Sequence, residues 1–164
     1  MLQLPVISLT TFGIIVFAVA FGGSRFKPDA WHAALAKPTW NPPDWIFAPV
    51  WTVLYAAIAV AGWLVWRAAE NGWSPALTFW SLQLATNGAW TWLFFGRHRI
   101  DLALIDIGVT LICIVGFMVL ASSLSPVASL LFLPYAAWIL FAGALNAAIW
   151  RLNPSASRAT TQES

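Results

Sequence analysis

The sequence predicts an all-α membrane protein, a bundle of five transmembrane helices forming one domain over residues 1–164. Three observations carry that reading. The 164 residues are 60% apolar and their mean hydropathy is +0.77. Only 9% are charged, 8 Lys or Arg and 6 Asp or Glu, against about 25% in an ordinary soluble domain. Those charges cluster between long uncharged runs, and a bilayer crossing requires roughly 20 apolar residues. So little polar surface excludes a water-soluble globule, and so much hydrophobicity excludes a disordered chain. A net charge of +2 spread along the chain leaves no basic patch, so no nucleic acid partner is expected. The single cysteine, Cys113, excludes an intramolecular disulfide framework and a multi-thiolate metal site.

Residues 1–24 are uncharged and predict a first helix over about 5–23. Ala18-Val19-Ala20 has the form of a signal-peptidase site, but residues 1–4 lack the basic n-region of a signal peptide, so a retained helix is expected. The uncharged runs 46–66 and 71–96 predict a second helix over 46–66 and a third over 75–95. The run 107–150 is too long for one crossing, and Ser122-Ser123-Leu124-Ser125-Pro126 divides it, giving helices over 102–121 and 127–150. Pro134 lies inside the fifth helix and is expected to kink it. Only the connection 24–45 exceeds a tight turn.

Lys and Arg counts set the orientation. Arg25, Lys27, Lys37, Arg97, Arg99, Arg151 and Arg158 fall on one side and Arg67 alone on the other. The N-terminus is therefore expected outside, with the C-terminus and the first loop in the cytoplasm.

The first loop interleaves prolines at 28, 38, 42 and 43 with Trp31, Trp40 and Trp45. Trp45 reads as an interfacial anchor. Trp31 and Trp40 are either anchors or a lid over a cavity, with Lys27 and Lys37 placed to meet anionic groups.

Helical spacing puts Trp80, Gln83, Asn87, Trp90 and Phe94 on one face of the third helix. It aligns Leu131, Tyr135, Trp138, Ala142 and Asn146 on the fifth, and Trp51, Tyr55, Ile58 and Gly62 on the second. Intramembrane amides must face the bundle. There they act either as interhelical glue or, with the aromatic rings, as the wall of a pocket for a planar ligand. Ser81, Ala85, Ala89 and Gly96 give the third helix an opposite face of small residues, suited to a homodimer contact or to close packing within one protomer. Asp106, one turn into the fourth helix from Asp101, is expected to pair with Arg97 or Arg99.

No HExxH, GxSxG, P-loop or paired-carboxylate motif is present, so no catalytic residue is nominated. His32 and His98 lie in loops, and Cys113 and Met118 read as packing residues. No metal ligand and no resident cofactor are therefore expected.

The run Lys37-Pro38-Thr39-Trp40-Asn41-Pro42-Pro43-Asp44-Trp45 continues through Phe47-Ala48-Pro49-Val50-Trp51-Thr52-Val53-Leu54-Tyr55. It resembles the TspO/MBR family, the tryptophan-rich sensory proteins and translocator proteins. The resemblance continues through WSLQLATNGAWTWLFFGRHR of the third helix and FLPYAAWILFAGALNAAIWRLN of the fifth, and covers nearly the whole chain. It implies a five-helix bundle, usually a homodimer, with an internal pocket for porphyrins and other hydrophobic ligands. Trp51, Asn87, Trp138, Ala142 and Asn146 match pocket positions. The expected function is a receptor or sensor-transporter that binds porphyrin between Trp51, Asn87, Trp90 and Trp138 beneath the first loop. The alternatives are a light- and oxygen-dependent porphyrin-degrading enzyme and a membrane scaffold without ligand. Animal members carry a sterol-recognition pattern requiring Tyr; Leu145 to Arg151 holds none, so sterol binding is not expected.

Overall fold

A computed structural model describes residues 3–70, 72–154 and 156, with the backbone alone for residues 3–8. Arg158, counted in the charge bias, lies outside the described residues. The described chain is helical, without a strand. Asp44–Ala68, Ile100–Ser122 and Pro126–Leu152 are long and apolar enough to cross a membrane, and Leu9–Gly23 is a shorter apolar helix. On the fourth-helix segment, Ile105, Ile112 and Val119 recur at seven-residue spacing and are 64%, 68% and 65% exposed. A stripe of this kind suits lipid rather than water.

Helix α1 covers Gln3–Gly23. The first loop is not uniform: Asp29 caps a short helix, α2, Ala30–Ala34, accepting from the His32 amide at 3.0 Å. The loop closes on a 3-10 turn, Asp44–Ile46, that feeds directly into α3, Phe47–Ala68. Ser74 caps α4, Pro75–Thr91, with Pro75 in the first turn. The α-helix expected to reach 95 gives way at Trp92–Gly96 to a π turn, in which the Arg97 amide donates to the Trp92 carbonyl at 2.8 Å. Helix α5 covers Ile100–Ser122.

The last span is two helices, α6 (Pro126–Leu131), capped by Ser125, and α7 (Leu133–Leu152). Pro134 has no N–H for the preceding turn. The Phe132 amide instead turns back to Ser129 at 3.1 Å, and α7 restarts with the Ala136 amide on the Phe132 carbonyl at 2.8 Å. Helix α6 packs on α3 and α5, and α7 on α5.

Helix α4 packs most extensively on α5, and α1 lies against α3 and α4. Gly62 permits the tight join of α3 to α4. A Cβ there would stand 2.5 Å from the Trp80 ring, whose indole N–H donates to the Ile58 carbonyl at 2.8 Å. The main core gathers Ile58, Val65, Phe117, Phe132 and Tyr135, all fully buried. A smaller cluster of Leu35, Phe94, Ile100, Ala103, Leu145 and Ile149 fastens the first loop to the end of the bundle.

The expected pairing of Asp106 with Arg97 or Arg99 is not made. Arg99 turns both arms of its guanidinium onto Asp101, at 2.9 and 2.7 Å, because that carboxylate lies only two residues away. This contact holds the guanidinium charged more firmly, raising its pKa. Arg97 lies over the Trp92 ring, 5.7 Å from its centroid. Asp106 is left with an oxygen that is buried and unpartnered.

Candidate functional site

A hydrogen-bonded chain of side chains crosses the bundle next to the site. The Tyr55 hydroxyl donates to Asn87 Oδ1 at 2.8 Å, and Asn87 Nδ2 donates to the Tyr135 hydroxyl at 3.2 Å. Tyr135 donates to Gln83 Oε1 at 2.9 Å, and Gln83 Nε2 to the Trp80 carbonyl at 2.9 Å. The amides thus serve as interhelical ties, as polar groups in an apolar bundle must. Gln83 is fully buried and is not among the residues that line the cavity beside it. Asn87 does both jobs, tying α3 to α7 and facing open space.

That space is a cavity of about 370 Å³ between α1, α3, α4, α5 and α7, roofed by the first loop. Its walls are Phe47, Trp51 and Tyr55 from α3 with its preceding turn; Asn87, Trp90, Thr91 and Phe95 from α4 and the π turn; Asp106, Ile107 and Thr110 from α5; and Trp138, Ile139 and Ala142 from α7. Phe26, Pro28, His32, Asn41 and Asp44 close it from the loop. Trp51 leans on Tyr55 at 5.1 Å, and Trp138 meets Phe47 edge-on at 5.6 Å. The Trp90 indole N–H has no acceptor. Trp138 is also a wall of a second, apolar groove, bordered by Pro49 and Val53 of α3 and by Pro134 and Phe141 of α7.

Five of the sequence-predicted residues therefore come together in one wall: Trp51, Asn87, Trp90, Trp138 and Ala142. The other five do not line it. Gln83 belongs to the tie described above. Asn146 is buried and donates to the Ile100 carbonyl at 2.9 Å, joining α7 to the start of α5. Phe94 packs in the loop-side cluster, stacked on Trp90 at 5.1 Å, and Phe95 faces the cavity in its place. The π turn explains the exchange, because it widens the helical repeat and moves the next inward position one residue along. Trp31 stacks on His98 at 4.2 Å and meets Phe94 edge-on at 5.8 Å. Trp40 is 48% exposed and touches Phe141. The lysines expected near a ligand, Lys27 and Lys37, are absent from the wall. Sequence reasoning missed the roof residues Phe26, His32, Asn41 and Asp44. Tyr55 and Phe47 were visible in the motif but were not selected.

The roof is held at several points. Asn153, just beyond α7, accepts from the Ala36 amide at 3.0 Å and donates to the Ala36 carbonyl at 2.9 Å. Asp29 Oδ2 lies 3.0 Å from His98 Nε2. The His32 amide and His98 hold the Asp29 carboxyl below its usual range. Burial pushes the His32 imidazole pKa down, and nearby Lys37 adds to the effect. His98 itself adopts a left-handed backbone (φ 53°), which turns the chain between the π turn and α5. Among the described residues no three His, Cys, Asp or Glu are grouped to hold a metal ion.

The model of the TspO/MBR family matches residues 10–151. Protein CrtK of Rhodobacter capsulatus is 38% identical over 152 residues, covering 90% of this chain and 95% of that protein. The tryptophan-rich protein TspO of Archaeoglobus fulgidus is 39% identical over 155 residues, covering 90% and 98%. The human translocator protein is 37% identical over 139 residues, covering 81% and 82%. The match extends from α1 to α7 and so includes every helix that walls the cavity: the chain belongs to the TspO/MBR family of membrane proteins.

Proposed function

We propose that this chain is a five-span membrane receptor or sensor-transporter that binds porphyrins, related tetrapyrroles and other flat hydrophobic ligands in the roofed cavity. The observation that carries the reading is the wall itself: Trp51, Trp90 and Trp138 surround one space, and the Trp90 indole offers an unpaired donor. Flat rings supply stacking surface, worth about 0.5–1.5 kcal/mol per aromatic pair beyond burial. The donor suits a carbonyl or carboxylate oxygen of the ligand. In this reading the N-terminus is outside, and the C-terminus and roof loop are cytoplasmic. Two copies associate through the α4 face of Ser81, Ala85 and Ala89, of which Ser81 and Ala85 are exposed.

The test is titration of the purified chain with protoporphyrin in the dark, followed by tryptophan fluorescence and porphyrin absorbance. Saturable quenching is expected. New absorbance bands that form only in light and oxygen would favour the degrading enzyme, with the cavity tryptophans as oxidisable neighbours. No response would leave a scaffold.

A further inference from the structure

The charge lining the cavity is one-sided. Two carboxylates contribute to its wall, Asp106 from α5 and Asp44 from the roof, and among the described residues no Lys or Arg does. His32 supplies no dependable counter-charge, since burial disfavours its protonated form. Arg99 is committed to Asp101 and Arg97 lies over Trp92. The Asp106 carboxylate accepts no hydrogen bond and joins no ion pair, and one of its oxygens is buried. A carboxyl group left in this state within a membrane span is costly and marks a functional position.

The surroundings of that carboxylate narrow the class of partner. Trp51, Tyr55, Trp90 and Trp138 line the same space. A cation is attracted to aromatic faces, most strongly to Trp and most of all where water is excluded. A carboxylate set among such rings complements a protonated nitrogen carried on an apolar body, through a charge-assisted hydrogen bond and the rings together.

We infer that this cavity binds lipophilic amines in their protonated form, with Asp106 as the counter-ion and the tryptophans around it as the aromatic wall. The inference rests on the reading of the cavity as a ligand site, and not on the ligand being a tetrapyrrole. It extends that reading to a class of opposite charge to the porphyrin carboxylates, which the anionic wall directs away from Asp106 and towards the mouth.

The experiment uses the full chain in a neutral detergent. Tryptophan fluorescence is titrated with N,N-dimethyl-1-naphthylmethylamine and with 1-isobutylnaphthalene, which has the same shape and no nitrogen. The amine is expected to bind about tenfold more tightly than the hydrocarbon. Asp106→Asn, which keeps the shape and removes the charge, is expected to abolish most of that preference while hydrocarbon affinity stays within about twofold. Equal affinities in the unmodified chain, or an amine preference that survives Asp106→Asn, would overturn the inference. Should the variant not fold, the comparison in the unmodified chain decides alone. Protoporphyrin titrated in the same preparation separates the two readings: its failure to bind removes the tetrapyrrole assignment and leaves the amine comparison standing.

Discussion

The Tyr135 hydroxyl donates to Gln83 Oε1 at 2.9 Å, joining residues 52 positions apart on α7 and α4. The same hydroxyl accepts from Asn87, which in turn accepts from Tyr55, so three helices share one polar thread beside the cavity. Tyr135→Phe would strand a buried acceptor on Gln83 and a donor on Asn87. Leaving such groups unpaired costs about 1–3 kcal/mol. Tyr55→Phe removes only one bond at a half-buried position, and about 1 kcal/mol is expected. Thermal unfolding in detergent should therefore rank Tyr135→Phe as the less stable of the two. The reverse order would mean that the thread does not hold α7.

Trp51→Phe and Trp138→Phe keep an aromatic ring but shrink the stacking surface. Each is expected to weaken porphyrin binding several-fold, in keeping with roughly 0.5–1.5 kcal/mol for an aromatic pair, with little loss of stability. Dark fluorescence titration of both variants provides the check. Affinity unchanged in both would remove these rings from the site.

Much of this arrangement is legible in the sequence, and the unread parts have physical causes. Uncharged runs and the Ser-Pro break locate the long helices to within a few residues, because charges and turn-forming residues collect at helix ends. Five of the ten nominated site residues line the cavity because helical spacing gathers them on inward faces. Spacing cannot separate an amide that ties helices from one that faces a cavity, and Gln83 and Asn146 turn out to be ties. It also assumes an unbroken repeat, which the π turn at Trp92–Gly96 interrupts, exchanging Phe95 for Phe94. The roof escapes periodicity altogether, since its placement depends on contacts such as Ala36 with Asn153, 117 residues apart.

The roof should respond to ligand and to acid. Hydrogen exchange over residues 24–45 is expected to slow when porphyrin saturates the cavity, because Phe26, His32, Asn41 and Asp44 face that space. Burial holds His32 below the ordinary imidazole value of about 6.5, so folding favours its neutral form. Docking is therefore undisturbed above that value and weakens as pH falls through the titration of His32. His32→Gln should remove that response to acid. Exchange indifferent to both ligand and acid would reduce the loop to a static cap.

The charge bias makes a topological prediction. A reporter active only outside the cytoplasm, fused after residue 164, should stay silent, because seven of the 8 Lys and Arg fall on the side assigned to the C-terminus. A strong signal would invert the chain and put the roof loop outside.

Binding in the space beneath that loop is tested most directly by filling it. Ala142 on α7 is a small wall residue of the cavity, and it contributes no side-chain hydrogen bond of its own. Ala142→Phe would fill part of the space while leaving the Tyr55–Asn87–Tyr135–Gln83 thread untouched. The decisive measurement is the dissociation constant for protoporphyrin, read from porphyrin absorbance in the dark, in the variant and the unmodified chain. We predict a loss of at least about tenfold, the effect of about 1.4 kcal/mol, with thermal stability changed little. A well-folded Ala142→Phe protein that binds protoporphyrin as tightly as the unmodified chain would place the ligand elsewhere.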